Sequence, residues 1–369
     1  MVREGIIVAG EFSRTSGLGE SARLMLRGLA ALGVPAWALD IGPLLPVHRA
    51  ELELPPSAEP AQGAALVLHV NPPMLPYVLA GLPRRLLRGR RVIGYWAWEL
   101  PKVPPDWRVG ARFVHDAWVP SRFTATAVEP LLPGRVRVVP HPLAAAALQP
   151  AALTRDALGL PDSAVVVLVS FNLASSMERK NPLAAVTAFR AAFGDRADRV
   201  LLIRCGNPAH FPEDFASLSA AVAGVPNISL DTRRLQPAEV YGVTAAADIV
   251  LSLHRSEGFG LVPAEAMLLG RPVIATGWSG NMDFMDPRSS ALVGYRLVPA
   301  QDVRGLYTVK GAVWAEPAID EAATWLRRLA DDPAARAALG AAGRAAAQAR
   351  LGPAALAAAV ESLGLHTSA

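Results

Sequence analysis

Short β-rich runs alternate with amphipathic helical stretches along this chain, and the alternation happens twice. That rhythm restricts the fold to parallel sheets covered by helices, since each parallel pair of strands needs a crossover between them. In the first half the strand candidates are 5–10, 36–41, 65–70, 91–95, 117–120 and 136–140. Around 143–156 the pattern dissolves into Ala, Pro and Gln, which reads as a linker. The second half restarts with a strand at 164–171 and a helix at 181–193. Strands at 199–204, 228–230, 249–253 and 272–275 follow, and long helices close the chain from Ile319. The expected class is α/β, with doubly wound domains at 1–145 and 146–350. Residues 351–369 are expected to form a helix and tail that pack back on the first domain. Ligands of such sheets lie at the C-terminal edges of the strands.

The 369 residues are 52% apolar and 18% charged, enough for two cores and too apolar for a disordered chain. No apolar run is long enough to span a bilayer, and Met1-Val2-Arg3-Glu4 leads directly into a strand, so no leader is expected. Cys205 stands alone and rules out an internal disulfide, which makes a reducing cytoplasm the expected home. A net charge of +4 does not call for nucleic acid. Arg84, Arg85, Arg88, Arg90 and Arg91 form one basic cluster, a candidate peripheral contact with the inner face of a membrane at about 1 kcal/mol per residue. The plainer reading is a solvated helix face.

The densest motif is Arg255-Ser256-Glu257-Gly258-Phe259-Gly260-Leu261-Val262-Pro263-Ala264-Glu265. It follows the apolar run 247–253, so it reads as strand, glycine turn, helix. That layout aims backbone N–H groups and a positive helix end at an anion. Pro263 suits the first helical position, which places Glu265 in the first turn.

This block resembles the nucleotide-sugar site of the family-4 retaining glycosyltransferases, whose signature is two glutamates separated by seven residues. The similarity continues through Gly270-Arg271-Pro272-Val273-Ile274-Ala275-Thr276. The resemblance implies the GT-B fold, two Rossmann-like doubly wound domains with parallel sheets facing across a cleft. It also implies roles. Glu265 grips the donor ribose, Glu257 sits by the transferred sugar, and the N–H groups of Gly258, Phe259, Gly260 and Leu261 hold diphosphate and sugar. The co-substrate is a nucleoside-diphosphate sugar, a UDP- or GDP-sugar first, with no other cofactor. The acceptor is a glycan, a lipid-linked or a small-molecule hydroxyl, commonly an intermediate of a surface glycan or polysaccharide. Glu257 and Glu265 also have plainer readings, as a turn residue and as a complement to the helix dipole.

Breaking a sugar–phosphate bond builds negative charge on phosphate, which fixed cations must meet. The family places them after the first strand of the second domain, where this chain has Arg179-Lys180-Asn181-Pro182. Lys180-Asn181 resembles the usual Lys-Gly. The usual Gly-Arg is replaced by Phe171-Asn172, leaving Arg179 as the candidate second cation and Asn172 as a donor-side candidate. No Asp-x-Asp and no cluster with ligand spacing is found, so the expected enzyme is metal-independent.

The first loop contains Gly17-Leu18-Gly19-Glu20-Ser21-Ala22, which satisfies a dinucleotide fingerprint, with Asp40 at the end of the next strand. Six residues, 11–16, separate it from the strand, which argues against an NAD site. Arg14, Gly17 and Gly19 are instead candidates for the cleft, beside the plainer reading of a β–α turn. Where relatives carry a histidine, this chain has Tyr95-Trp96-Ala97-Trp98-Glu99. Glu99 is a candidate to replace it, and Trp96 and Trp98 are either sugar platforms or core. His69 and Asn71 end the preceding strand, and His254 flanks Glu257; all three are further candidates. Rival readings are a phosphorylase or epimerase of the same fold, a non-catalytic nucleotide-sugar-binding subunit, and an NAD-dependent enzyme.

Overall fold

The computed structural model describes residues 4–14, 16–46 and 59–367. Met1–Arg3 and Thr15, both used in the sequence reading, lie outside these residues. The chain separates into two compact units. One runs up to Ala146 and resumes at Leu351, and the other is Ala147–Arg350.

The first unit is built on β1 (Ile6–Gly10), β2 (Ala36–Asp40), β3 (Ala65–Leu68), β4 (Val92–Tyr95), β5 (Asp116–Val119) and β6 (Val136–Val138). They form one sheet in the order β2-β1-β3-β4-β5-β6, every neighbour parallel. β1, β3 and β4 are buried along their whole length, which is why they read as continuous apolar runs. The tail returns to this unit. The helix Ala354–Glu361 buries Leu356, Ala359 and Val360 in the cluster that holds Ile6, Val8, Met25 and Leu29. Gly28 makes room for it, because a Cβ there would meet Pro142 at 2.5 Å and Leu356 at 2.8 Å.

Inside this core sits a buried polar string. Ser21 Oγ lies 2.8 Å from His69 Nδ1, the His69 ring stacks on Tyr95 at 4.5 Å, and Tyr95 donates to Val139 O at 2.7 Å. The Tyr95 hydroxyl also lies 3.1 Å from His141 Nδ1. Burial holds both histidines neutral. It lowers His69 well below the usual range, with His141 adding to the effect, and pushes His141 down to about 3.

The second unit carries β7 (Val165–Asn172), β8 (Arg199–Gly206), β9 (Ile228–Asp231), β10 (Ile249–Ser252), β11 (Val273–Thr276) and β12 (Ala291–Val293). The order is β12-β11-β10-β7-β8-β9, again all parallel. Strand order reverses between β7 and β10, so the loops leaving these two neighbours diverge and open a crevice, the place where doubly wound sheets bind ligands. Three strands were not anticipated: β12, only three residues long, and the antiparallel pair β13 (Tyr295–Pro299) and β14 (Val313–Pro317). The segment joining that pair has no short turn signal to announce a hairpin. One local reading needs correcting. The helix after the glycine turn begins at Leu261, not at Pro263, so Pro263 is its third residue and Glu265 lies in the second turn. Proline is tolerated there because the first four helical N–H groups lack intrahelical acceptors.

Acid should unfold this protein early. The unfolded histidines take up protons near pH 6.5, while buried His69 and His141 refuse them, so stability is full above that pH and falls as pH drops toward 3. The loss should be about 1.4 kcal/mol per pH unit for each histidine. Urea unfolding between pH 7 and pH 4 checks this, and a flat profile would contradict it.

Candidate functional site

The crevice between β7 and β10 gathers the strongest motif residues. From the β10 side comes Glu257, 7% exposed; from the β7 side come Arg179 and Lys180. Lys180 Nζ lies 2.5 Å from Glu257 Oε1, and Arg179 Nη1 lies 3.3 Å from Oε2. Burial works to raise the Glu257 carboxyl, but the charges of Lys180 and Arg179 outweigh it and bring the group down to about 2. Glu257 is therefore an ionised acceptor at any ordinary pH.

Hydrogen bonds explain why the two loops meet. Ser176 caps the short helix Met177–Lys180 and donates to Asp302 at 2.6 Å. Arg255 donates from its N–H to Arg179 O and from Nη1 to Glu178 O, both at 2.8 Å. It also pairs with Glu316 at 2.7 Å, tying β14 to the same loops. A third strand braces the turn from behind. After β11, Ser279 Oγ accepts from Glu257 N at 2.8 Å, and Gly280 N donates to Glu257 O at 2.9 Å. Gly280 has no alternative, because a Cβ would stand 2.2 Å from Gly258 O. Sequence reasoning missed this brace. Its one signal was the run Gly277-Trp278-Ser279-Gly280-Asn281 directly after a predicted parallel strand, where site loops lie.

His254 is fully buried. Its Nε2 donates to Asn281 Oδ1 at 3.1 Å and its Nδ1 lies 3.0 Å from Ser252 Oγ, so it is a neutral strut of this brace. Burial lowers its pKa further from physiological pH. Phe259 is buried against Phe284, ring centroids 5.1 Å apart, so only its backbone can meet a ligand. Gly260 takes φ +100° as it caps the Leu261–Leu268 helix, which has no side-chain cap. Glu265 is half-buried one turn further on. Asn172 Oδ1 accepts from Ala174 N at 2.9 Å and Asn207 Nδ2 at 3.0 Å, which commits it to its own turn.

Arg179 stands behind Glu257 and away from open surface. It is 2% exposed, donates to Ser175 O and Ser256 O, and lies over the Tyr307 ring at 5.2 Å.

Several first-unit candidates prove to be structural. His69 is fully buried in the polar string, so it offers no edge to a ligand. Trp96 is fully buried edge-on to Trp107, and Trp98, also buried, packs on the same ring and donates to Lys102 O. Neither tryptophan presents a face to a sugar. Asn71 makes two bonds with the backbone of Ala97, at 2.9 and 3.1 Å, and so fixes the loop carrying Glu99. Glu99 itself is half-buried.

The dinucleotide fingerprint is not a glycine loop. Gly17 and Gly19 lie inside the first turn of the Gly17–Ala31 helix, capped by Ser16, whose Oγ accepts from Gly19 N. A Cβ on Gly19 would meet Glu11 O at 2.6 Å, which accounts for that glycine. Asp40 accepts from Ser13 Oγ at 2.7 Å and is spent on holding the loop. Arg14 pairs with Glu11 at 3.5 Å. The arginine cluster dissolves too. Arg84–Leu86 is a single 3-10 turn; Arg90 is buried, donating to Ala61 O and Ala64 O, and Arg91 grips Asp116 with two bonds. Only Arg84, Arg85 and Arg88 stay exposed.

Residues 134–360, more than half of the chain and including the whole crevice, match the family described as Family 4 Glycosyltransferase in conflict systems. The chain belongs to this family. It is also 32% identical over 155 residues to a D-inositol 3-phosphate glycosyltransferase of Corynebacterium urealyticum. That match covers 40% of this chain and only 34% of the relative. Among solved structures, sucrose-phosphate synthase of Thermosynechococcus elongatus superposes with a TM-score of 0.66 at 17% identity, covering 98% of both chains. Anabaena HepE in complex with UDP and glucose gives 0.64 at 13% identity, over 98% of this chain and 99% of that one. Staphylococcus aureus TarM, bound to UDP, gives 0.57 at 10% identity; 82% of this chain covers 56% of that one. These likenesses show the fold, which is GT-B with two Rossmann-like domains.

Replacing Lys180 by Met should destabilise the second unit by roughly 3 kcal/mol, because it strips one partner from a buried carboxylate. Urea unfolding at pH 7 measures the loss. Unchanged stability would mean that Arg179 alone holds Glu257.

Proposed function

We propose that this protein transfers a sugar from a nucleoside-diphosphate sugar to an acceptor hydroxyl, with retention of anomeric configuration and without a metal. The observation that carries the reading is the meeting of Glu257 and Lys180 in the crevice between β7 and β10, beside the uncapped start of the Leu261 helix. An ammonium and a helix N-terminus make a positive field for a departing diphosphate, in a partly water-excluded place where such fields count most. Family membership and the UDP bound in HepE and TarM support the donor class, with UDP- and GDP-sugars the first to try. Among the described residues no group of three His, Cys, Asp or Glu side chains could hold a metal ion.

In this reading the acceptor hydroxyl, from a glycan, a lipid-linked sugar or a small molecule, attacks on the face the phosphate leaves. The leaving phosphate oxygen takes its proton. Lys180 neutralises the phosphate, and Glu257, ionised throughout, orients Lys180 and accepts from sugar hydroxyls. Arg179 holds Glu257 from behind. Glu265 receives the ribose hydroxyls. Glu99 and Arg14 are the first-unit candidates for the acceptor side. Peripheral membrane contact would fall to Arg84, Arg85 and Arg88. Among the described residues no helix is long and apolar enough to cross a membrane.

Steady-state kinetics with the preferred donor tests these assignments. Lys180→Ala should lower kcat about 100- to 1,000-fold, the usual loss when one fixed donor to developing negative charge is removed. Glu265→Gln should mainly raise the KM for donor. Near-normal turnover by both variants would defeat the proposal. Tight donor binding by the wild type, with no transfer to any acceptor, would favour a non-catalytic nucleotide-sugar-binding subunit.

A further inference from the structure

Arg204 interrupts the apolar run of β8, two residues before its end. Leu201, Ile203 and Cys205 face one core, so Arg204 points to the opposite face of the sheet. Parallel register sets it level with Ser170 of β7 and Asp231 of β9. The three form a row at the C-terminal edge, where such sheets bind ligands. Arg204 is half-buried, its Nε is enclosed and unpaired, and among the described residues its guanidinium makes no hydrogen bond or ion pair. Asp231 beside it is already taken. Arg233 donates to both of its oxygens at 2.8 Å, and the Arg233 N–H to Oδ1 at 3.0 Å. Burial lowers the pKa of Arg204, although the charges of Asp231 and Glu265 work to raise it. A guanidinium drawn partly out of water with no acceptor is costly. It asks for an acceptor that arrives with a ligand.

The donor reading says which part of a ligand that is. Diphosphate belongs at Lys180 and the start of the Leu261–Leu268 helix, and the ribose hydroxyls at Glu265, one turn further on. Glu265 lies near enough for its charge to act on Arg204. Glu265 accepts from hydroxyls, whereas Arg204 can only donate. The acceptors that lie beyond the ribose are those of the base. Uracil and guanine carry a carbonyl oxygen where cytosine and adenine carry an amino group. Guanine adds N7 beside that oxygen, a pair that the planar guanidinium fork meets with two hydrogen bonds. An amino group in the same place would turn its hydrogens toward a cation.

We propose that Arg204 is a base-selecting residue: its guanidinium donates to the carbonyl oxygen of uracil or guanine in the nucleoside-diphosphate donor and disfavours adenine and cytosine. This rests on the donor reading given under Proposed function. Choice of base is thus separate from the hold on diphosphate at Lys180 and on ribose at Glu265.

Isothermal titration calorimetry of the full chain with UDP, GDP, ADP and CDP tests the inference. The variants are Arg204→Met, which keeps an unbranched side chain and removes its donors, and Arg204→Gln, which stays polar but loses the charge. The wild type should bind UDP or GDP about tenfold more tightly than ADP and CDP, the worth of one charged hydrogen bond. Both variants should lose that preference through weaker binding of UDP or GDP, with ADP and CDP unchanged. Should Arg204→Met fail to fold, the result with Arg204→Gln decides. An equal loss for all four nucleotides makes Arg204 a structural residue and overturns the inference. So does a wild type that favours ADP or CDP or shows no preference, and so does a preference that survives in the variants. In each of these cases nucleoside-diphosphate binding stands, and the donor reading with it. A wild type that binds no nucleoside diphosphate removes the donor reading itself, and the inference with it.

Discussion

Glu257 is a charged carboxylate in a place where charge is costly, and much of the second unit is arranged around that cost. Its two oxygens are met by Lys180 and Arg179, its backbone N–H and C=O by Ser279 and Gly280. These partners arrive as two adjacent pairs, Arg179 and Lys180 after β7 and Ser279 and Gly280 after β11, so both loops leave the C-terminal end of a parallel strand. Alone, the carboxylate would be driven protonated by burial. With both cations in place it stays ionised, its pKa lowered to about 2. The pairing also places the Lys180 ammonium by the start of the Leu261 helix. One interaction thus fixes the turn and aims the cation.

The strand order makes that interaction available. β7 and β10 are neighbours in space and far apart in sequence, so 179–180 and 257 meet only because the sheet reverses there. Arg255 and Ser176 then latch the two loops to each other and to the segment carrying Asp302 and Glu316. The separate antiparallel pair β13 and β14 takes part in this latch. They supply Glu316, the backbone of Ala315 and the Trp314 ring beside Arg255.

Much of the fold was legible because buried parallel strands read as apolar runs, as β1, β3 and β4 do. The eight-residue spacing of Glu257 and Glu265 was legible for a different reason: a glycine turn between strand and helix leaves few conformations for what lies between. The second unit's other loops were harder. Ser279, Asn281 and Asp302 are ordinary loop residues whose roles appear only when three strands converge. The first unit misled more. Trp96, Trp98, His69 and Asn71 sit where strands end, which is where site residues gather, but there they close the core or pin a loop. Position along the strand could not separate these roles, because the sequence does not reveal which side chains turn inward. The Gly17 fingerprint misled likewise: Gly19 is needed for close passage past Glu11 O, which is a packing demand and no sign of a nucleotide.

A crystal structure of the protein with its tightest nucleoside diphosphate would test the central claim most directly. The account predicts a phosphate oxygen within hydrogen-bond distance of Lys180 Nζ, at the start of the Leu261 helix, with the ribose hydroxyls reaching Glu265. A nucleotide seated instead against the loop after β1, with Lys180 still turned wholly to Glu257, would contradict it.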